Sequence, residues 1–486
     1  MGKPLDTPLI DALNNFISAG RIPMHMPGHK QGKGFDARFK DNLLEFDLTE
    51  LPGLDNFHRP EGAISESMDI TAKVFGARKS FFLVNGSTSG IHAAFLSCFK
   101  RGDEVLVNRN CHISVIHALM LFGIKPVFVM PEYDEEYNLA LPSRLVSWKR
   151  ALDEHPDVKG ALVTTPDYYG ICQPLAELAG LLHANGKILI VDEAHGAHFA
   201  FSGKFPETAL EQGADICIQS FHKTLNALTQ AAVLHVGSER VNVEKLRRAI
   251  SMITTTSPSY IIMASMEYAR KVAVEEGAGR YDELINHLEK MKTRLSGMEN
   301  LRVVPDVIGK LKRDPTRIVI DTSLTNITGY ELYDMLYNEY RIAAEMCDYC
   351  HVVFIATIAD TPDDLYKVTH ALLKIDRSLG KTRKKSFDFP FKTGKCSIPE
   401  LYDFLDSSVK VGLTDAEGMT SAELVTPYPP SIPVLCPGEV ITRDHIKYLD
   451  RLIRSGAEIN GLSTDEKGQR TIRVVKTYSK EEGGFQ

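Results

Sequence analysis

From about residue 80 the chain alternates short β-rich runs with helix-length amphipathic segments, and this alternation restricts the fold more than any other feature. Residues 80–84, 104–107, 126–129, 161–164, 188–191 and 216–218 read as strands, and helical segments such as 174–185 lie between most of them. Strands separated by helices on this spacing build βαβ units, so the expected class is α/β with a mostly parallel sheet covered on both faces. A long helical stretch over 261–296 then leads to a second α/β region, with strands at 317–320 and 352–358 and helices at 329–340 and 362–378. The basic run 381–385, followed by aromatic and proline residues, reads as an exposed linker to a C-terminal unit with a helix near 443–455. The expected organisation is an arm and linker over 1–60, a large domain over 61–296, a small α/β domain over 297–380 and a C-terminal domain over 381–486.

A chain of 486 residues is long enough for several cores. The net charge of −7 gives no electrostatic case for a nucleic-acid or membrane partner. No apolar run is long enough to span a bilayer. The opening residues have helical periodicity without a signal-peptide pattern, and Asp6 breaks a myristoylation signal at Met1-Gly2. Eight cysteines are too sparse for a disulfide framework, so a reducing cytoplasm is the expected location. Cys347-Asp-Tyr-Cys350-His351 spells a haem-attachment pattern, but it runs into an apolar strand-like stretch and has no second cysteine pair to complete a zinc site. Buried thiols are expected there.

Four groups of polar residues fall at predicted strand ends, where open α/β sheets bind ligands. Asn85-Gly-Ser-Thr-Ser-Gly90 lies between a strand and a helix; backbone N–H groups and the Ser87 and Thr88 hydroxyls could hold a phosphate there, though alone it reads as a plain capped turn. Val191-Asp-Glu-Ala-His-Gly196 spells a helicase box, but no Gly-x4-Gly-Lys-Ser/Thr loop exists to accompany it. Metal binding by Asp192, His195 and His198 is an alternative, weakened by the glycine-rich turn. The favoured role is a carboxylate, Asp192, that keeps a pyridine nitrogen protonated. Ser220-Phe-His-Lys223 places a lysine among small polar residues, where a partly desolvated amine becomes nucleophilic; alone it reads as a surface lysine. Arg109-Asn-Cys-His112 offers a ring that could stack on a flat cofactor, or simply a polar helix start.

In order, these motifs resemble the bacterial ornithine/lysine/arginine decarboxylases, pyridoxal-phosphate (PLP) enzymes of the aspartate-aminotransferase fold. The likeness extends to His25-Met-Pro-Gly-His-Lys30, Leu51-Pro-Gly-Leu-Asp-Asn-Phe-His58, Thr254-Thr-Thr-Ser-Pro-Ser-Tyr260, Tyr428-Pro-Pro and Pro437-Gly-Glu439, and so to nearly the whole chain. The resemblance implies a PLP-binding large domain and decarboxylation of arginine, lysine or ornithine to a polyamine precursor. Lys223 would carry the cofactor, Asp192 would pair with its ring nitrogen and His112 would stack on its face. Ser87, Thr88, His195, Ser220 and His222 would surround it. Thr255, or its neighbour Thr254, would complete the phosphate site from a partner subunit, making a homodimer or higher even oligomer the active unit. The chain resembles the short form without an N-terminal wing domain. Lys223 or His222 would return a proton to the substrate carbon. Glu439 is the first choice for the substrate's cationic tail, with Glu345 and Asp348 behind it; no metal is expected. The sequence departs from the family pattern at Thr165-Pro-Asp-Tyr-Tyr-Gly170, where Asp167 adds a carboxylate, and at Ile113. An amino-transfer or aldol-cleavage enzyme on the same scaffold is the rival, and amino transfer predicts an arginine clamp on the substrate carboxylate. A silent binding relative of the decarboxylases is the non-enzymatic alternative.

Overall fold

Seven strands form one sheet, in the spatial order Lys79–Leu83, Ala232–Val236, Ile216–Gln219, Ile188–Asp192, Gly160–Thr164, Glu104–Asn108 and Lys125–Val129. All neighbours are parallel except Ala232–Val236, which runs antiparallel to both of its partners. The computed structural model describes residues 6–385, 408–428 and 432–475. The aromatic and proline segment beyond Lys385, and Pro429 and Pro430, lie outside the described residues.

The strands alternate between two cores because successive side chains point to opposite faces. Val105, Val107, Leu162 and Ile190 join a cluster with the helices Gly86–Cys98, Ile113–Phe122 and Val243–Ile253. Leu106, Ala161, Val163, Leu189 and Val191 join another with Leu145–Glu154 and Ala176–Ala184. Covered on both faces, the strands are near-continuous hydrophobic runs, which is why they stand out in the sequence.

The strand Ala232–Val236 escaped the sequence reading. Only the four-residue helix Phe221–Thr224 separates it from its predecessor, too little for a parallel crossover, so the chain turns back antiparallel. The long helix spans Tyr260–Leu295 and leads to a second, wholly antiparallel sheet ordered Arg302–Val303, Arg317–Asp321, His351–Ile355 and Met346–Cys347. The N-terminal strand Ile22–Met24 pairs in parallel with Ile342–Ala344, tying the arm to this second region. Near the C-terminus, Ser408–Gly412 pairs with Arg470–Val475 beside the helix Arg443–Arg454.

Candidate active site

The segments that follow four strands of the large sheet come together at the carboxyl ends of those strands. Gly86–Cys98 begins three residues after its strand, and there the Ser220 hydroxyl, at the end of a second strand, donates to the Ser87 hydroxyl at 2.9 Å. Thr88 is exposed on the same first turn. Two hydroxyls from different strands therefore sit at a helix start, the local chemistry that holds an anion. Thr255 lies close by: its backbone N–H donates to the Asn85 side chain of its own chain at 3.2 Å, and its own side chain is exposed.

Asp192 ends its strand and is buried. Burial pushes its carboxyl up and the Lys223 ammonium opposes this, so the two side chains face one another electrostatically. Among the described residues the Asp192 carboxylate accepts one hydrogen bond, from the Ala194 N–H at 3.2 Å, which leaves lone pairs for a cationic donor. The Lys223 amine is depressed to about 8 by desolvation, with Arg317 adding to the effect and Asp192 and Glu345 opposing it. At that value about a tenth of the amine is free base at pH 7, far more than for an ordinary lysine.

Three histidines surround this amine. His195 Nε2 is 3.1 Å from Lys223 Nζ. His112 caps the helix Ile113–Phe122; its Nδ1 accepts from the Ser114 N–H, and burial lowers the ring to about 3. It is therefore a neutral ring, suited to lie against a flat cation. His222 donates from Nδ1 to the Ala231 carbonyl at 3.0 Å and is lowered to about 4, chiefly by burial. The Tyr168 ring lies 4.6 Å from the His195 ring and 5.7 Å from Lys223 Nζ.

The segment His25–Lys30 closes one side. The Gly28 N–H donates to the His222 carbonyl at 2.7 Å, and a Cβ on Gly28 would stand 2.5 Å from the Leu225 carbonyl, so glycine is required for this approach. Lys30 donates to the His25 and Ile355 carbonyls and pairs with Asp360, all within the interior.

Glu439 does not face this amine. It forms a two-point ion pair with Arg109, at 2.9 and 2.8 Å, and accepts the Cys436 N–H, so its charge is already neutralised in the interior. This corrects its expected place at the substrate tail. Asp348 is likewise committed, to the Tyr169 hydroxyl, the Cys350 and His351 N–H groups and the His351 ring. Glu345 is placed differently. One of its oxygens accepts the Met26 N–H at 2.8 Å, and its charge acts on both Lys223 and Arg317. Asp167 closes its own turn by accepting the Ile171 N–H at 2.8 Å. Cys347 and Cys350 are free thiols, and among the described residues no group of side chains is placed to hold a metal.

The sequence reading missed Arg317 and Tyr168. Arg317 opens a strand of the second sheet and reaches back to the large sheet, so only tertiary structure brings it within 2.8 Å of His195. No local signal in the sequence distinguishes Tyr168 from Tyr169.

Residues 7–364 match the family described as Orn/Lys/Arg decarboxylase, major domain, and residues 404–478 match that family's C-terminal domain. The chain is 33% identical to an arginine decarboxylase of Bacillus anthracis, covering 97% of this chain and 98% of that one. It is 32% identical to an arginine decarboxylase of Bacillus subtilis, over 97% and 98%. Lysine decarboxylase A from Pseudomonas aeruginosa has a similar fold, with a TM-score of 0.77 at 22% identity, covering 97% of this chain and 84% of that one. With both parts of the family matched in order along one chain, this protein belongs to the Orn/Lys/Arg decarboxylase family.

Proposed function

We propose that the protein decarboxylates a basic amino acid, arginine or lysine ahead of ornithine, using pyridoxal phosphate carried by Lys223. The carrying observation is the desolvated Lys223 amine just beyond the carboxyl end of an interior strand, 3.1 Å from His195 Nε2 and within the field of the Asp192 carboxylate. The donor set fits this cofactor. Asp192 has a free lone pair for a ring N–H, the Ser87–Ser220 pair and the helix start suit a phosphate, and neutral His112 suits the ring face. Bound there, the cofactor supplies an electron sink for the pair released as carbon dioxide leaves.

The chain's own residues supply orientation and protons. Asp192, as an anion in a low-dielectric site, favours a protonated ring nitrogen. The proton returned to the substrate carbon comes from Lys223 rather than His222. His222 spends its Nδ1–H on the Ala231 carbonyl, and at about 4 its Nε2 carries no proton near neutrality. Lys223, at about 8, can both hold and release one. Glu345 is the carboxylate for the substrate's cationic tail, since Glu439 and Asp348 are engaged elsewhere. The active unit is a homodimer or a higher even oligomer, with the exposed Thr255 reaching a partner's phosphate site, and the enzyme works in the cytoplasm.

Release of carbon dioxide from arginine, lysine and ornithine, assayed side by side with purified protein, tests the reaction. Lys223→Ala should lose turnover and the bound-cofactor absorbance together. Keto-acid product without carbon dioxide would establish amino transfer instead.

A further inference from the structure

We propose that Arg317 fixes the tautomer of His195 so that its Nε2–H faces the Lys223 amine, which makes Arg317 a positioning residue for the reactive lysine. The proposal rests on the reading of Lys223 as the cofactor-carrying residue.

The assignment follows from donor chemistry. A guanidinium has five N–H donors and no acceptor. Arg317 Nη2 lies 2.8 Å from His195 Nδ1, so Nδ1 must be the bare, accepting nitrogen. In a neutral ring the proton is then on Nε2, which lies 3.1 Å from Lys223 Nζ. An Nε2–H at that distance needs a lone pair to receive it, and only the uncharged amine has one. The pair therefore both aims Lys223 and favours its free base. Burial holds His195 well below the usual imidazole range, and the Lys223 and Arg317 charges add to this, so the ring is neutral.

Arg317 is an expensive residue for any purely structural purpose. It is fully buried, Nε and Nη1 have no hydrogen-bond partner among the described residues, and the nearest carboxylate there, Asp314, stands 3.9 Å from Nε. A buried cation this poorly satisfied costs stability. Its one side-chain hydrogen bond among the described residues goes to His195. The backbone also makes room for it: Gly170 has φ +85°, and a Cβ there would stand 2.8 Å from Arg317 Cγ. Nor is this the arginine clamp expected of an aminotransferase, because the two unpaired nitrogens are sealed from solvent.

The test uses apoprotein labelled with 15N-histidine, with His195 assigned by comparison with His195→Gln. The wild type should show an unprotonated Nδ1 and a protonated Nε2, and Arg317→Met should lose that signature while Arg317→Lys, which can still donate, keeps it. A companion measurement is the rate of pyridoxal phosphate uptake by the apoprotein as a function of pH. The titratable and charged groups facing the amine are Asp192, Glu345, Arg317, His112, His195 and His222, with the Tyr168 ring beside them. Uptake should rise through about pH 8 in the wild type. In Arg317→Met the midpoint should move up by about one unit, slowing uptake at pH 7 about tenfold. A protonated Nδ1 in the wild type overturns the proposal. So does a shifted uptake midpoint in Arg317→Met with the His195 signature intact, because Arg317 would then act through its charge alone. If Arg317→Met does not fold, the wild-type spectrum still decides the tautomer. If the wild type takes up no pyridoxal phosphate, it is the cofactor reading that fails, and the histidine spectrum remains interpretable.

Discussion

Two of the buried arginines, from different regions of the molecule, are treated in opposite ways. Arg109, just beyond a strand of the large sheet, places its guanidinium among Glu439 and the Pro433 and Val434 carbonyls, all from the C-terminal region. The Arg317 guanidinium, at the start of a strand in the second sheet, makes one hydrogen bond among the described residues, to His195. The first arrangement is self-sufficient: planar fork, bidentate carboxylate and carbonyls meet in good geometry, which is the condition for burying an ion pair without large loss. It fastens the C-terminal region to the loop that carries His112. The second arrangement is not self-sufficient and points, through His195, at Lys223. Completeness of hydrogen bonding thus separates a charge kept for architecture from one kept for chemistry.

The largest effect should come from breaking the complete pair. Glu439→Ala leaves the Arg109 guanidinium buried without its carboxylate and should cost about 3–5 kcal/mol of stability, read as a fall in the thermal midpoint of the apoprotein. Removing both charges, as Arg109→Met with Glu439→Leu, should recover most of that loss, since a well-packed apolar pair often equals or exceeds a buried ion pair. A double variant no better than Glu439→Ala would show that the carbonyl contacts of Arg109, rather than the charge pair, fasten the C-terminal region. Arg317→Met should behave oppositely, with a thermal midpoint held or raised while turnover falls.

A smaller effect should appear in the lysine that the incomplete arginine serves. Folding lowers the Lys223 amine from 10.5 to about 8, so between those values the folded apoprotein binds fewer protons than the unfolded chain. Stability therefore rises with pH across that window, and the full cost of burying the ammonium is present below about 8. Lys223→Met removes that cost. At pH 7 the variant apoprotein should exceed the wild type by roughly 1–3 kcal/mol, and the gap should close as pH climbs from 8 towards 10.5. Denaturant melts at pH 7 and pH 10 check this, and a gap independent of pH would place the amine outside the desolvated site.

The same contrast explains what could be read from the sequence. The parallel strands were legible because burial on both faces makes them apolar runs, and the placement of Ser87, His112, Asp192 and Lys223 just beyond strand ends was legible because it follows from those strands. The role of Glu439 was misplaced because Pro-Gly-Glu carries no sign that an arginine 330 residues away in sequence already holds the carboxylate. Arg317 was invisible for the mirror reason: read locally it is an ordinary polar residue opening a strand. The antiparallel strand Ala232–Val236 was lost because its connection is short and its neighbours set its direction.

Asp167 should give the smallest effect, and it sharpens the account of Arg317. Burial raises this carboxyl to about 7, with the Ile171 N–H and Arg313 opposing the shift, and its charge is one of several that act on Arg317. A folded carboxyl raised above its unfolded value of 3.8 binds the extra proton between those two values. Its burial cost therefore grows as pH rises through that window and is complete above about 7. Asp167→Asn keeps an acceptor for the Ile171 N–H without the charge. It should match the wild type near pH 4 and be more stable at pH 8 by roughly 1 kcal/mol, a figure kept small because the side chain is only half-buried. If the variant is instead less stable at pH 8, the ionised Asp167 serves there as a counter-charge to Arg317 in addition to the distant Asp314. Arg317 would then resemble Arg109 more closely than their hydrogen bonds suggest.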